Sequence, residues 1–192
     1  MVNKYIPTFF IEILTKPNNP TPRTLQTMNT KHFSQSMTLA LLFAASIANR
    51  RDKRCIIPMD LFRGLLTLPA VSNIWTIFQR INIPTEPLQK KFLKGHKRII
   101  PFEEVKDIPK DAILSFQLSE IFEIARHYAE GKKRRKDRAN RKAGKLTRVK
   151  TCIGVKEFLI ACALHGDNEI MDTFDKYEFS ITAILESIPV RG

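Results

Sequence analysis

Apolar residues recur at helical spacing through most of the chain, and this periodicity constrains the fold more than any other feature. From Phe33 to Ala48 they stand three and four residues apart, which is the period of a helix with one buried face. The positions between them are also largely apolar, so we expect this helix in the middle of a core. No useful stretch alternates with the period of two that a half-buried strand needs. The sequence therefore predicts an all-α fold.

The second half of the chain repeats the order of helices in the first half. In the first half, Pro58 begins a short apolar run that ends at Pro69. Two segments with apolar residues at helical spacing, which we call stripes, follow at Val71–Ile81 and Glu86–Leu93. The stripes of the second half are Phe116–Ala129, Val155–Leu164, Ile170–Tyr177 and Ile181–Ile188. Because the order repeats, we expect two four-helix repeats that share one core.

Composition sets the boundaries of these units. Three prolines between positions 17 and 22 prevent regular structure, so residues 1–31 are an N-terminal extension with a flexible linker. The repeats then occupy residues 32–188. Repeat one covers 32–93, a polar linker covers 94–111, and repeat two covers 112–188.

The sequence also bears on the compartment. The longest nearly apolar stretch, Met37–Ala48, has 12 residues, whereas a spanning helix needs about 20, so we expect no membrane contact. Three cysteines without paired spacing favour a reducing compartment. We therefore expect a cytoplasmic protein; an organellar location after removal of a transit peptide is the alternative.

Most of the net charge lies in one segment. The chain carries +13, and residues 131–150 hold 11 Lys and Arg against one acid. Such a segment cannot bury a core, so it is a mobile loop or a solvated helical extension. Three interpretations stay open: it binds the phosphate backbone of RNA or DNA, it docks on an acidic protein, or it only aids solubility. The candidate contact residues are Lys132, Lys133, Arg134, Arg135, Lys136, Arg138, Arg141, Lys142, Lys145 and Arg148.

Both halves carry one motif at matching places. Phe33 begins the first helical pattern, and residues 56–66 follow as an I-x-x-x-x-L-x-x-G-L-L run. In the second half Leu114 takes the place of the phenylalanine, and residues 153–163 take the place of the run. The interval between the two parts is longer there, and the added length is a basic insertion at 131–146. The pattern resembles the double Clp repeat, the N-terminal domain of the Clp-family AAA+ unfoldases.

This resemblance implies a fold and a function. The fold is two pseudo-symmetric four-helix Clp repeats packed as one domain. The function is non-catalytic protein interaction, as an adaptor, accessory subunit or fragment of a Clp unfoldase or protease. The partners are then a Clp-type ATPase or protease subunit and unfolded protein clients. The alternative function is a basic nucleic-acid-associated protein that binds phosphate backbone through residues 131–150.

Two departures from the family pattern narrow this expectation. Family members that recognise phosphoarginine use the acid of an I-G-T-E-H motif, and Met59 and Lys156 stand at those positions here. A thioether cannot pair with a guanidinium and a lysine repels it, so we expect this recognition to be lost. No G-x-x-x-x-G-K-[ST] motif occurs, so the chain is not a P-loop ATPase by itself.

Other residues with reactive side chains favour structural roles. The candidates are Cys162 with His165 and Asp167, Cys55 with Cys152, and Glu120 with Glu123. We interpret Cys162 as a buried thiol and His165 as a residue at the end of a helix. Cys55 and Cys152 occupy equivalent positions in the two repeats and serve packing. Glu120 and Glu123 lie on a solvated helix face. We expect no catalytic residue, cofactor or metal, and the protein is not predicted to be an enzyme.

The large aromatic residues of the stripes admit two interpretations. They can line a peptide groove, since family members use hydrophobic patches to hold unfolded clients, or they can pack in the core. The residues concerned are Phe33, Phe62, Trp75 and Phe78. Core packing is the interpretation that we favour.

Overall fold

The computed structural model describes residues 32–51, 53, 55–68, 73–80, 85–93, 112–145, 151–165 and 168–176. Most of these residues are helical, which confirms the all-α prediction. The helices are α1 (Gln35–Arg50), α2 (Pro58–Leu66), α3 (Asn73–Arg80), α4 (Thr85–Phe92), α5 (Phe116–Lys142), α6 (Val155–His165) and α7 (Asn168–Lys176). The extension at 1–31, the linker at 94–111 and the helix expected at 181–188 lie outside the described residues.

The helix α1 lies within the core, as its apolar pattern predicts. Eight of its residues are buried, and α2 packs along it closely. A Cβ atom built on Gly64 of α2 would lie 2.4 Å from the carbonyl oxygen of Ala40. Glycine therefore permits the close approach of the two helices. In the second half, α6 packs against α5 in the same order along the chain.

A serine begins each of the two long helices. The Ser34 hydroxyl accepts a hydrogen bond of 3.2 Å from the N–H of Met37, and the Ser115 hydroxyl accepts one of 3.1 Å from the N–H of Leu118. These bonds satisfy a backbone donor that the first turn of a helix leaves without a partner. They explain why α1 begins at Gln35, two residues after the apolar pattern does.

Two short strands depart from the expectation of helices alone. The strands β1 (Cys55–Ile56) and β2 (Ile113–Leu114) are parallel. The N–H of Ser115 extends the ladder by donating a hydrogen bond of 2.9 Å to the carbonyl of Ile56. Two residues are too few to show a period-two pattern, which is why the sequence did not indicate these strands.

A second backbone connection lies between Phe33 and Ile153, which form an isolated parallel bridge. The N–H of Ile153 donates to the carbonyl of His32 at 2.7 Å, and the N–H of Ser34 donates to the carbonyl of Ile153 at 2.9 Å. Phe33 therefore precedes α1 instead of belonging to its stripe. The segment before α1 is joined to the segment before α6, and the segment before α5 to the segment before α2.

The aromatic residues of the stripes pack inside, as we favoured. Phe62 and Phe78 are fully buried, and Trp75 is nearly so. The indole N–H of Trp75 donates a hydrogen bond of 2.8 Å to the carbonyl of Leu68, so its polar group is satisfied within the core. Phe33 is half-buried, with its ring edge against Phe122 at a centroid distance of 5.1 Å.

Among the described residues, no helix is both long and apolar enough to cross a membrane.

Candidate interaction surface

The helix α5 continues beyond the core and carries most of the basic segment. Its last buried residue is Ala129, yet the helix ends only at Lys142. Gly144 follows with a φ of 69°, a left-handed conformation that favours glycine and stops the helix. Lys and Arg are good helix formers, so the extension needs no apolar face. Of the two predicted forms, the helical extension is confirmed for residues 131–142.

Exposed cations of this extension gather on one side of the helix. At 3.6 residues per turn, five of them fall within an arc of about 120°. They are Arg134, Arg135, Arg138, Arg141 and Lys142, all exposed, and we call this set the basic face. Asn140 lies on the opposite side of the helix and Asp137 lies outside the arc, and both are half-buried. The single acid of residues 131–145 is thus not part of the basic face.

The remaining predicted contact residues are not equivalent to this set. Lys136 is exposed but lies outside the arc, and Lys145 is exposed beyond the end of the helix. Lys133 is half-buried. Arg148 lies outside the described residues. Five of the ten candidates therefore share one side of the helix.

Lys132 has a structural partner. Its Nζ atom donates a hydrogen bond of 3.0 Å to Oε1 of Glu157, a side chain on α6 that is only 6% exposed. The other carboxylate oxygen of Glu157 accepts the N–H of Gly154 at 3.0 Å and so caps α6. Lys132 therefore links the start of the α5 extension to the first turn of α6 through an ion pair.

A buried carboxylate also caps α2. Asp60 is fully buried, and its Oδ2 accepts the N–H of Ile57 at 3.2 Å. Arg51 forms an ion pair with the same oxygen, while Nη1 of Arg63 lies 3.9 Å from Oδ1. Asp60 and Glu157 both stand three residues after the residue that precedes their helix, in the position of the acid of a capping box. This spacing was the signal that could have identified them in the sequence.

Met59 and Lys156, the positions at which the sequence predicts that a carboxylate is lost, differ in their surroundings. Met59 is buried in the core. Lys156 is half-buried, with its Nζ 5.9 Å from the centroid of the Tyr128 ring. Burial lowers the pKa of Lys156, and the charge of Lys132 lowers it further, whereas Glu157 acts in the opposite direction. The surroundings of Lys156 therefore disfavour its charged form.

The other reactive side chains have partners or are buried. Cys162 is fully buried, and Nε2 of His165 lies 2.9 Å from Oε2 of Glu120. Glu123 instead accepts a hydrogen bond of 2.9 Å from Nε of Arg126. Glu120 and Glu123 thus bind different partners and do not act as a carboxylate pair. Asp167 lies outside the described residues.

The three cysteines form no disulfide with one another, and their environments differ. Cys55 is half-buried, and burial and the nearby Asp60 raise its pKa, although Arg51 and Lys53 oppose this. A thiol with a raised pKa is a poor nucleophile at neutral pH. Cys152 is exposed. Among the described residues, no group of three or more His, Cys, Asp and Glu side chains is placed to hold a metal ion.

Phe116 lies on the surface, although the sequence pattern predicts that it is buried. The sequence grouped it with the buried face of α5, but 52% of it is exposed. It is the first residue of α5 and lies ahead of Leu118, the first buried residue of the helix. Within the described part of the chain, the basic face and Phe116 are surface features that core packing does not explain. Comparison of the chain with protein-family models and with curated proteins gave no match.

Proposed function

We propose that the protein is a non-catalytic interaction module of the double Clp-repeat type, which acts as an adaptor or accessory subunit of a Clp-type unfoldase or protease. Two four-helix repeats with pseudo-symmetry would form its single core. One observation carries the proposal, namely the reciprocal pairing of backbone segments between the two halves of the chain.

The pairing has the same form in both directions. Leu114, before the first helix of the second half, lies opposite Ile56, before the second helix of the first half. Phe33 and Ile153 are bridged in the same way with the halves exchanged. The serine N–H that follows each first residue donates a hydrogen bond of 2.9 Å to the isoleucine carbonyl in both cases. Two repeats related by an approximate twofold axis would produce such a pair of contacts.

The helix caps follow the same correspondence. The serine caps of α1 and α5 occupy equivalent positions in the sequence alignment of the repeats, as do the carboxylate caps of α2 and α6. The interval from Ser115 to Gly154 is longer than the interval from Ser34 to Ile57, and the excess equals the length of the insertion at 131–146. The caps are thus displaced by the same number of residues as the motifs in the alignment of the two repeats. The backbone contacts and the sequence therefore support the same alignment of repeat one with repeat two.

Phe116 gives the module a candidate contact for a protein partner. It is exposed and directly follows Ser115, the residue that joins β2 to β1. Burying a phenylalanine side chain contributes about 1.5–3 kcal/mol, enough to matter in a protein interface. A partner that covers this ring would sit where the two halves of the chain meet.

Affinity capture of the full chain from its source cell at mild salt tests the proposal. We expect a Clp-type ATPase or protease subunit among the bound proteins, identified by mass spectrometry, and a lower yield with Phe116→Ser. Gln79→Ser is the matched control, because Gln79 is an exposed residue of α3, and it should leave the yield unchanged. Recovery of neither a Clp subunit nor an unfolded client would overturn the proposal.

A further inference from the structure

We infer that the basic face of α5 binds the phosphate backbone of double-stranded nucleic acid without regard to sequence. This inference is independent of the proposed Clp-type function, since it rests only on the α5 extension. The basic face is Arg134, Arg135, Arg138, Arg141 and Lys142, as defined above. Its geometry, its charge and the residue types beside it each bear on the partner.

Three arginines of the basic face form a row along the helix. Arg134, Arg138 and Arg141 are four and three residues apart, so at 1.5 Å per residue their row spans about 10.5 Å along the helix axis. One strand of duplex DNA places a phosphate about every 3.4 Å along its axis. The row therefore has the length of about three phosphate-to-phosphate steps along one strand.

The charge of the face exceeds what the acids of the extension can neutralise. Residues 131–145 contain one acid, Asp137, and one carboxylate balances at most one of the five cations. Glu130, the next acid towards the core, is engaged in an ion pair with Arg126. Most of the cations are therefore held close together on one side of a helix, where they repel one another until a polyanion neutralises them.

The residue types favour a nucleic acid over an acidic protein. Protein interfaces have a core that is depleted in charge and enriched in aromatic residues and Met. Residues 131–145 contain no aromatic residue and no large aliphatic residue, so an acidic protein would find no apolar centre to cover. Contacts to a phosphate backbone need only cations.

The same composition favours a duplex over a single strand. Proteins that bind single strands stack bases on aromatic side chains, and the extension provides none. An α-helix of about 10–12 Å diameter fits the major groove of B-form DNA, which is about 12 Å wide. A cation-covered helix can thus lie along or within the groove and contact phosphates.

The test measures the affinity of the full chain for a 24-base-pair duplex of random sequence between about 50 and 300 mM KCl. The variant Arg134→Gln, Arg138→Gln, Arg141→Gln removes the row. We expect it to bind at least about tenfold more weakly at 100 mM KCl. We also expect the slope of log K against log [salt] to fall by about 2.7, since each lost phosphate contact contributes about 0.9.

Two further variants show whether a loss of affinity comes from the basic face itself, from the lower net charge of the chain or from a change in folding. The control Arg50→Gln, Lys53→Gln, Lys90→Gln removes the same charge from exposed residues outside α5 and should keep most of the affinity. Substitution of the same three arginines by lysine should restore the slope, because lysine also contacts phosphate. An equal loss in the control would overturn the inference, as would a row variant that the lysine substitutions do not rescue.

Competition identifies the partner class. Duplex DNA and duplex RNA are used as separate competitors to distinguish the two sources of a phosphate backbone, and either one supports the inference. Poly-L-glutamate of the same total charge represents an acidic protein. If it competes as well as the duplexes, or if a mixed-sequence single strand binds more tightly than both, the assignment to a duplex is wrong.

Discussion

The Nζ atom of Lys132 lies 3.0 Å from Oε1 of the buried Glu157. The first cation of the basic segment thus belongs to the junction between α5 and α6. Because the same carboxylate caps α6 through the N–H of Gly154, one side chain fixes both the start of α6 and the base of the extension. The pair therefore ties the base of the extension to α6.

This junction predicts a measurable coupling between Lys132 and Glu157. We expect Glu157→Ala to cost about 2–3 kcal/mol, since it removes the helix cap and leaves the Lys132 charge without its partner. Lys132→Met should cost about 1 kcal/mol, and a double-mutant cycle in urea should give a coupling of about 1 kcal/mol. Lys136→Met, at an exposed position, is the control and should change stability by less than about 0.5 kcal/mol. A coupling near zero would contradict this arrangement.

Two glycines in helices should respond to alanine with opposite signs. Gly64→Ala puts a methyl group against the backbone oxygen of Ala40, 2.4 Å away, and should destabilise the fold by about 3 kcal/mol through overpacking. Among the described residues, no atom beyond the adjacent residues and the nearby backbone of the same helix lies within 4 Å of the corresponding position at Gly131. Gly131→Ala should therefore stabilise α5 by about 0.5–1 kcal/mol through helix propensity. Thermal or urea unfolding of both variants checks the signs, and the same sign for both would be inconsistent with the structure.

The carboxylate of Asp60 should matter far more than an exposed one. Asp60→Ala removes the partner of the Ile57 N–H and of Arg51, and we expect a loss of about 3 kcal/mol. The matched control is Glu86→Ala, whose ion pair with Lys90 is 77% exposed on both sides and should contribute less than about 0.5 kcal/mol. Equal losses in urea unfolding would show that the cap at Asp60 has no special role.

Lys156 should make stability depend on alkaline pH. Burial and Lys132 lower its pKa in the folded state, so the unfolded chain binds more protons between that pKa and the ordinary value of about 10.4. Stability from this group therefore rises with pH across that window. We expect Lys156→Met to be more stable than the parent at neutral pH, by a margin that shrinks as the pH approaches 10.4.

Melting temperatures measured from pH 7 to pH 10.5 check this expectation. Burial also raises the pKa of Tyr128, which titrates in the same range and changes stability with the opposite sign. Both chains are therefore compared in a Tyr128→Phe background. A margin between the two chains that does not change with pH would rule out the titration of Lys156 as its cause.

The helices and the core could be predicted in large part from apolar spacing. The stripes that include Phe62 and Phe78 proved buried, and Pro58 begins α2 as predicted. The end of α5 could not be predicted in this way, because the stripe stops at Ala129 while the helix goes on to Lys142. Apolar periodicity reports only the face of a helix that packs, and a helix of Lys and Arg can continue on propensity alone.

The sequence was enough to predict which segment carries the candidate surface. It was not enough to predict which side chains of that segment are exposed. The sequence located the cations in residues 131–150, and their helical positions determine which of them share a side. Only the packing of α5 on α6 decides that Lys132 faces Glu157 and that Arg138 faces solvent. Exposure depends on which neighbour covers a side chain, and that neighbour can lie far away in the sequence.

The sequence by itself determined that the chain folds into helices, which of their faces are apolar, and where the charge is concentrated, because these are properties of local spacing. Tertiary structure alone decided the joins between distant segments, such as Ile56 with Leu114 and Phe33 with Ile153. It also decided that Asp60 and Glu157 are buried. Backbone groups pair with any partner of suitable geometry, so the choice of partner follows from how the helices pack.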